Sequence, residues 1–135
     1  NDFIAYYRKN ISGHSTIRKN VISLLEWCKE KSIICAVCTN KREDLAIKLL
    51  KDIKLYKYFD FIAGADTFEY RKPDPRHLTN ILDILEIEKK NTIMLGDSET
   101  DANTAKTANI HFVLIKDQGC QTHDILKYSL ICASA

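Results

Sequence analysis

Three short apolar runs, separated by segments of helical period, constrain the fold of this chain more than any other feature. They are residues 32–38 (SIICAVC), 91–95 (NTIML) and 111–115 (HFVLI), and a shorter run spans residues 59–63. The first three are nearly continuous in Val, Ile, Leu and Cys instead of alternating with polar residues. That pattern is typical of strands buried on both faces of a parallel sheet, so we expect helices on both sides.

The segments between these runs carry apolar residues at helical spacing. In each segment the apolar residues recur every three or four positions and so fall on one face of a helix. Helices that alternate with strands imply right-handed crossovers, and the predicted fold class is α/β, with an open, doubly wound, mostly parallel, Rossmann-like sheet. The stripes are Ile17, Val21, Leu24, Leu25 and Cys28; Leu45, Leu49, Leu50 and Ile53; Leu78, Ile81, Leu82 and Leu85; and Ala102, Ala105 and Ala108.

Length and charge limit what such a chain can bind. A chain of 135 residues can bury one sizeable core and is short for two. Lys and Arg total 20 against 18 Asp and Glu, and this net charge of +2 gives no general attraction to nucleic acid or to an anionic membrane. No apolar run approaches the roughly eighteen residues of a membrane helix, and no signal peptide is visible. We therefore expect no nucleic-acid or membrane partner, and any anion site must be local.

The cysteines favour a reducing, cytoplasmic location. There are five, an odd number, and four of them lie inside apolar patterns, as free buried thiols do. Cys35 and Cys38 have the spacing of a zinc or redox pair. On a buried strand, however, side chains three positions apart point to opposite faces. We therefore predict no metal or redox role for this pair.

The chain is predicted to divide near its start. Residues 10–15 (NISGHS) have the composition of a linker, with Gly13 as a break and Ser15 or Thr16 as N-cap of the following helix. Residues 2–9 have the pattern of the last turns of a helix from another unit. The predicted organisation is a short segment, residues 1–14, followed by an α/β core over residues 15–135.

The end of the first strand is a candidate phosphate site. In a doubly wound sheet, ligands bind outside the carboxyl ends of the strands, next to helix N-termini. This strand ends in Thr39 and Asn40, a hydroxyl and an amide, just before a helix. Such a junction directs a side-chain donor and free backbone N–H groups at one point, which suits a phosphate oxygen. The alternative is that Asn40 and Glu43 simply cap the helix.

A second polar junction follows the run at residues 91–95. There Gly96 leads into an acidic turn from Asp97 to Asp101. Mg²⁺ keeps several waters, so one or two carboxylates at a strand end are sufficient protein ligands. Asp97, first after the strand, is the predicted inner ligand. Capping of the next helix by Ser98, paired with Asp101, is the alternative.

Lys72 lies between these two junctions on a stiff segment. Pro73 and Pro75 flank it on the helix side, and Pro75 is tolerable in a first helical turn. A lysine held there would neutralise phosphate charge and steady the carboxylates around a metal ion. A lone lysine is, alternatively, an ordinary surface residue. The four histidines lie at unrelated positions and are assigned no chemistry.

Taken in order, the three junctions closely resemble those of the haloacid dehalogenase superfamily, and most of all its phosphoglycolate phosphatase-like branch with a helical cap. The similarity covers about residues 16–115. It implies that Thr39 and Asn40 hold the transferring phosphoryl group, that Lys72 balances its charge and that Asp97 binds Mg²⁺. By the same resemblance, Asp101 is the second acidic position of the metal motif, expected in the outer shell.

One part of the family pattern is absent. Such enzymes begin with a strand ending in Asp-x-Asp, whose first Asp attacks phosphorus to form an aspartyl-phosphate while the second is general acid and base. No such motif follows an apolar strand before Thr16. In the family, this strand lies in the middle of the sheet, between the strand that ends at Thr39 and the one that ends at Leu95.

The absence of that strand would leave two unpaired edges inside the sheet, which a stable domain does not tolerate. We therefore expect this chain to be a fragment and inactive by itself, with the nucleophile strand and most of the cap upstream. Residues 1–14 would then be the end of the cap and its linker, and residues 59–66 the family's third strand and following loop. Residues 126–135 would begin a closing helix.

The function that these features predict is Mg²⁺-dependent hydrolysis of a small phosphorylated metabolite, such as phosphoglycolate, by the complete protein. One alternative is a non-catalytic binding or scaffolding module derived from a phosphatase. Another is a phosphomutase of the same fold. Dehalogenation needs no metal, so the acidic cluster at residues 97–101 argues against it. The oligomeric state cannot be read from the sequence.

Overall fold

The computed structural model describes residues 11–115 and 129–134 of the chain. This part alternates helices with strands, as the apolar periods predict. Two short 3₁₀ turns, Tyr56–Tyr58 and Lys89–Asn91, precede strands. The helices are α1 (Ile11–Glu30), α2 (Glu43–Asp52), α3 (Pro75–Leu85) and α4 (Glu99–Ala108), and the strands are β1 (Ile34–Cys38), β2 (Phe61–Ala63), β3 (Thr92–Gly96), β4 (His111–Leu114) and β5 (Ser129–Ala133).

The five strands form one sheet in the order β2-β1-β5-β3-β4. β1 pairs with β2 and β3 pairs with β4, both in parallel. β5 lies between the two parallel pairs and runs antiparallel to β1 and to β3. The fold is thus α/β with a mostly parallel order of elements, as predicted, but with an antiparallel strand at its centre.

β5 corrects the prediction of two unpaired edges in the sheet. The gap lies where the family resemblance implies it, but the chain fills it with residues 129–133, part of the segment 126–135 that was expected to begin a closing helix. This strand suits the place because its side chains are apolar on both sides. Ile131 and Ala133 are buried in one layer, while Leu130 and Cys132 pack in the other. Its backbone also supplies the hydrogen-bonding partners that β1 and β3 require.

Helices cover both faces of the sheet. On one face, side chains such as Ala36 and Met94 pack against α3 and α4, where Ile81 and Ala105 are fully buried. The second face packs against α1 and α2, and its residues include Cys35, Val37, Ile62, Leu25, Cys28, Leu49 and Leu50. Cys38 belongs to the first layer and Cys35 to the second, which confirms that the two thiols point to opposite faces.

Burial on both faces holds for β1 but not for the other end of the sheet. Four of the five β1 residues are buried. On β3 and β4, however, Ile93 and Val113 are exposed by 42% and 43%. Among the described elements, α3 and α4 cover one face of β3, whereas α1 and α2 lie over the opposite end of the sheet. The prediction that these two strands are covered on both sides is therefore wrong for the described residues.

Helix α1 begins earlier than the sequence predicts. It is continuous from Ile11 to Glu30, so the expected linker is helical from residue 11 and the expected N-cap, Ser15 or Thr16, lies inside the helix. Residues 1–10 lie outside the described part of the chain. Among the described helices, none combines the length and apolar character needed to cross a bilayer.

Candidate active site

Thr39 directly follows β1, at the carboxyl edge of the sheet, where the chain turns. Its N–H donates to the Ala63 carbonyl over 2.9 Å, which extends the pairing of β1 with β2 by one residue. Its Oγ1 accepts a hydrogen bond of 3.1 Å from the Lys41 N–H. The residue is almost fully buried. The hydroxyl is thus fixed at the start of the loop that leads to α2.

Asn40 binds the backbone of Lys72 and does not cap α2. Its Nδ2 donates to the Lys72 carbonyl over 2.9 Å, and its Oδ1 accepts from the Lys72 N–H over 3.1 Å. The first N–H of α2, that of Glu43, instead donates to Asp66 Oδ1 over 2.8 Å. The capping alternative for Asn40 is therefore wrong. The amide holds the Lys72 segment against the end of β1.

Lys72 is buried, so its interpretation as a surface lysine is also wrong. The residue is 7% exposed, and its Nζ donates to Asp101 Oδ1 over 2.7 Å. The Lys72 N–H is shared between Asn40 and His77 Nδ1, which accepts it over 3.0 Å. The following helix, α3, begins with Pro75 and is capped by Asp74, whose side chain accepts from the Arg76 N–H. Asn40 and His77 thus hold the backbone of Lys72, and Asp101 holds its ammonium group.

In the acidic turn after β3, the Asp101 side chain contacts the backbone of Asp97. Asp101 Oδ2 accepts from the Asp97 N–H over 3.2 Å, while its other oxygen binds Lys72. Ser98 caps α4 by accepting from the Asp101 N–H, so this capping prediction is confirmed. A Cβ at Gly96 would come within 2.5 Å of Asp101 Oδ2. Only glycine therefore lets the Asp101 carboxylate take this position.

Two buried groups near the Lys72–Asp101 pair have pKa values that are shifted chiefly by burial. Burial lowers the pKa of His77 to about 4, and the Lys72 charge acts in the same direction. The His77 ring is thus neutral near pH 7, consistent with an Nδ1 that accepts a hydrogen bond. Burial raises the pKa of the Cys38 thiol to about 12. Cys38 therefore stays protonated and is excluded as a nucleophile at neutral pH.

The donor set at the end of β3 fits a hard cation such as Mg²⁺. Asp97 is half-buried at the strand end and supplies a carboxylate of the kind that Mg²⁺ takes. Both oxygens of Asp101 already accept hydrogen bonds, one of them from an ammonium. Asp101 is thus suited to hold the surroundings of the site. Asp97, directly after β3, remains the residue predicted to contact an ion.

The structure brings together all five predicted site residues. Thr39 and Asn40 follow β1, Asp97 and Asp101 follow β3, and Lys72 bridges the two groups through its bonds to Asn40 and Asp101. Because only β5 separates β1 from β3, the two strand ends lie roughly two strand spacings, about 10 Å, apart. The predicted convergence at one rim of the sheet is therefore observed.

Two supporting residues were not identified as such from the sequence. His77 accepts the Lys72 N–H from the first turn of α3, and no local pattern marks that contact. Gly96 was seen only as the end of an apolar run. A glycine directly before an acidic turn is a signal for close backbone approach, and it could have identified this position.

Comparison with known proteins gives a consistent result. A family model described as "Haloacid dehalogenase-like hydrolase" matches residues 1–115. A phosphoglycolate phosphatase of Mesorhizobium japonicum is 39% identical over 113 residues, which are 84% of this chain and 50% of that protein. A phosphoglycolate phosphatase of Agrobacterium fabrum is 38% identical over 108 residues, 80% of this chain and 46% of that protein.

Solved structures share the fold. The crystal structure of a phosphatase of the same superfamily from Thermococcus onnurineus superposes with a TM-score of 0.68 at 28% identity, covering 74% of this chain and 46% of that one. The chain spans about half the length of the curated relatives that it matches.

Proposed function

Because this chain belongs to the haloacid dehalogenase-like hydrolases, we propose that the complete protein hydrolyses phosphate monoesters of small metabolites with Mg²⁺ as cofactor. Several relatives that match most of this chain are phosphoglycolate phosphatases, which supports phosphoglycolate as the substrate. The free cysteines among the described residues are compatible with a reducing, cytoplasmic location.

The observation that carries the proposal is the buried pair of Lys72 and Asp101. Burying two opposite charges away from water is costly, and a stable core does not require it. Here the pair is 5% and 3% exposed at the side chains and stands at the rim between Thr39 and Asp97. A fixed ammonium at that place supports binding of a dianionic phosphoryl group.

Each residue has a distinct part in the proposed reaction. Thr39 orients the phosphoryl oxygens through its hydroxyl and the adjacent backbone. Lys72 offsets the charge that the phosphoryl group carries throughout the transfer, and Asn40 keeps Lys72 in position. Asp97 is the carboxylate ligand for Mg²⁺, which when bound neutralises phosphate charge. Asp101 fixes both the ammonium and the loop that carries Asp97.

The proposal requires an aspartate nucleophile in addition to these residues. Its carboxylate would form the bond to phosphorus as the ester oxygen leaves and takes a proton, and water would then hydrolyse the acyl phosphate. The family resemblance assigns that aspartate to a central strand, where β5 lies in this structure. We therefore expect the nucleophile strand of the complete protein to pair at this place in the sheet instead of β5.

Asp97→Asn in the full-length protein tests the proposal. We expect turnover of p-nitrophenyl phosphate to fall by about a hundredfold or more, since the carboxylate charge is needed to hold the cation. Asp83→Asn, an equivalent change at an exposed position on α3, should leave turnover unchanged. Normal Mg²⁺-dependent turnover by Asp97→Asn would exclude this role, and full-length protein without activity on any phosphate ester would favour a non-catalytic module.

The products distinguish a phosphatase from a phosphomutase. With phosphoglycolate as substrate, we expect stoichiometric release of inorganic phosphate. With a sugar phosphate, isomerisation without release of phosphate would instead support a mutase. The two reactions share the site described above, so this measurement concerns only the substrate and the acceptor of the phosphoryl group.

A further inference from the structure

Three cysteine side chains converge on the sheet face that α1 covers. Cys28 comes from α1, Cys35 from β1 and Cys132 from β5, and their sulfur atoms all lie within 4.8 Å of one another. The sulfurs of Cys35 and Cys132 are 4.0 Å apart. Cys35 precedes Thr39 by four residues on an extended strand, so this cluster lies roughly 13 Å from the phosphate rim along β1. The proposed phosphatase chemistry does not use it.

The backbone positions two of these thiols side by side. Cys35 and Cys132 are directly opposite each other in the antiparallel pairing of β1 with β5. The N–H and carbonyl of Cys35 both bond to Asp60, on the side of β2, and so point away from β5. Cys35 and Cys132 therefore form a non-hydrogen-bonded pair, the arrangement in which facing side chains come closest. The Cys28 side chain, on α1, places its sulfur beside those of Cys35 and Cys132.

The distance between the Cys35 and Cys132 sulfurs matches that between two ligands of a single metal ion, and the Cys28 sulfur lies within 4.8 Å of both. A zinc–thiolate bond is about 2.3 Å long, so sulfurs around one ion lie roughly 3.8 to 4.0 Å apart in tetrahedral or trigonal geometry. The Cys35 to Cys132 distance of 4.0 Å falls at this value. A disulfide would require a sulfur separation of about 2.05 Å, roughly half the spacing found here.

The surroundings favour a soft cation over a hard one. Cys28 and Cys35 are 2% exposed, and the side chains packed around the cluster include Leu25, Ile33, Leu55 and Phe59. Mg²⁺ and Ca²⁺ take oxygen ligands, whereas thiolates select zinc and other thiophilic ions. Cys132 is only partly buried, so the cluster is not sealed from solvent on every side in the described part of the chain.

We propose that Cys28, Cys35 and Cys132 form a binding site for one thiophilic cation of the Zn²⁺ class. The ion would join α1, β1 and β5 at one point. Since β5 holds the two parallel strand pairs together, binding stabilises the folded chain against unfolding, by mass action on the native state. This site takes no part in the proposed phosphatase chemistry. It requires β5 beside β1, so it belongs to the 135-residue chain in the fold described above; where the proposed nucleophile strand takes the place of β5, Cys132 no longer lies opposite Cys35.

Cadmium titration of the purified, fully reduced 135-residue chain tests the proposal. Cd²⁺ serves as the probe because its bonds to thiolates give a charge-transfer absorption band that carboxylate ligands at Asp97 do not give. We expect the band to saturate at one equivalent. Cys35→Ser and Cys132→Ser should each weaken binding by at least about a hundredfold, since loss of even an outer-shell partner can have that effect. Zn²⁺ should raise the melting temperature of the wild-type chain and not of these variants.

Two matched controls separate this site from the other thiols. Cys38→Ala changes a buried thiol of the opposite layer, and Cys120→Ser changes one outside the described residues. Both should retain the band at one equivalent. Absence of the band in the wild-type chain, or its persistence in Cys132→Ser, would overturn the proposal. So would isolation of the chain with a Cys35–Cys132 disulfide that returns in air even with Zn²⁺ present.

A second measurement covers the case in which the serine variants fail to fold. Alkylation of the wild-type chain by iodoacetamide, followed by peptide mapping, reports each thiol separately. Zn²⁺ should slow the alkylation of Cys28, Cys35 and Cys132 together and leave that of Cys120 unchanged. Equal rates with and without Zn²⁺ at those three positions would contradict the site.

Discussion

Lys72 and Asp101 place opposite charges beside each other in the interior, and their neighbours hold them there. The ammonium and carboxylate are 2.7 Å apart, the second carboxylate oxygen accepts from Asp97, and the Lys72 backbone is held by Asn40 and His77. In the low-dielectric interior, each charge depends on the other, because neither can recover its hydration. The same pair is therefore both a part of the candidate site and a condition for its stability.

Removing one member of this pair should destabilise the chain strongly. We expect Asp101→Ala to lower the free energy of unfolding by about 3–5 kcal/mol, because it removes the carboxylate that the buried Lys72 ammonium binds. Urea denaturation followed by circular dichroism measures the change. Asp44→Ala, which breaks an exposed ion pair with Arg42, is the control and should cause little change. Equal effects of the two substitutions would show that Lys72 is not buried as described.

His77 should make the stability of the chain depend on pH. Its pKa is about 4 in the folded state and about 6.5 when unperturbed, chiefly because of burial. Between these values the unfolded chain binds a proton that the folded chain does not, so stability falls as the pH is lowered from about 6.5 toward 4. We expect His77 to account for a loss of roughly 1–2 kcal/mol between pH 7 and pH 5.

Two variants separate the contribution of His77 from that of the other titrating groups. The quantity compared is the change in the free energy of unfolding between pH 7 and pH 5. His77→Gln cannot take up the proton, so its unfolding free energy should fall less between pH 7 and pH 5 than that of the wild-type chain. His111→Gln, at an exposed position on β4, should retain the wild-type slope. If His77→Gln also retained it, the ring would already be charged, or accessible to water, in the folded state.

At the scale of elements, β5 determines whether the sheet is continuous. It is the shared neighbour of β1 and β3, which do not pair with each other. Ile131, at its centre, is 1% exposed and lies opposite Ala36 on one side and Met94 on the other. Full burial of such a side chain contributes roughly 1.5–3 kcal/mol before any cost of a cavity is added.

Ile131→Ala therefore tests the position of β5. We expect it to lower the free energy of unfolding by about 2–5 kcal/mol, because the substitution removes buried contacts and leaves a cavity between the layers. Ile84→Ala, the same change at a residue of α3 that is 52% exposed, should alter stability by no more than about 0.5 kcal/mol. Similar, small effects at both positions would mean that β5 is not inserted in the core of this chain.

At the scale of the whole molecule, the site depends on the common direction of two strand pairs, β1 with β2 and β3 with β4, which belong to one sheet. β1 and β3 are parallel to their own partners and both antiparallel to β5, so they point the same way and their carboxyl ends lie at the same rim. The net charge is only +2, so the proposed binding of a phosphoryl group depends on local groups at this rim, Lys72 among them.

Local patterns in the sequence determined the alternation of helices and strands and the three polar junctions. Helical period, apolar strand runs and the chemistry of the residue after a strand are properties of neighbours in the chain, so they can be read without coordinates. Thr39, Lys72 and Asp97 were identified in this way. Their meeting at one rim follows from the parallel order of the strands, which the alternation itself implies.

Contacts between distant residues were decided only by the tertiary structure. The sequence places residues 129–133 at the end of the chain, but the unmet backbone hydrogen bonds of β1 and β3 draw them into the centre as β5. Asn40 could have capped α2 or bound Lys72, and the path of the Lys72 loop decides between them. Cys28, Cys35 and Cys132 likewise become neighbours only when β5 is inserted. Such pairings depend on which surfaces the fold brings within a few ångströms, and a one-dimensional pattern does not contain that information.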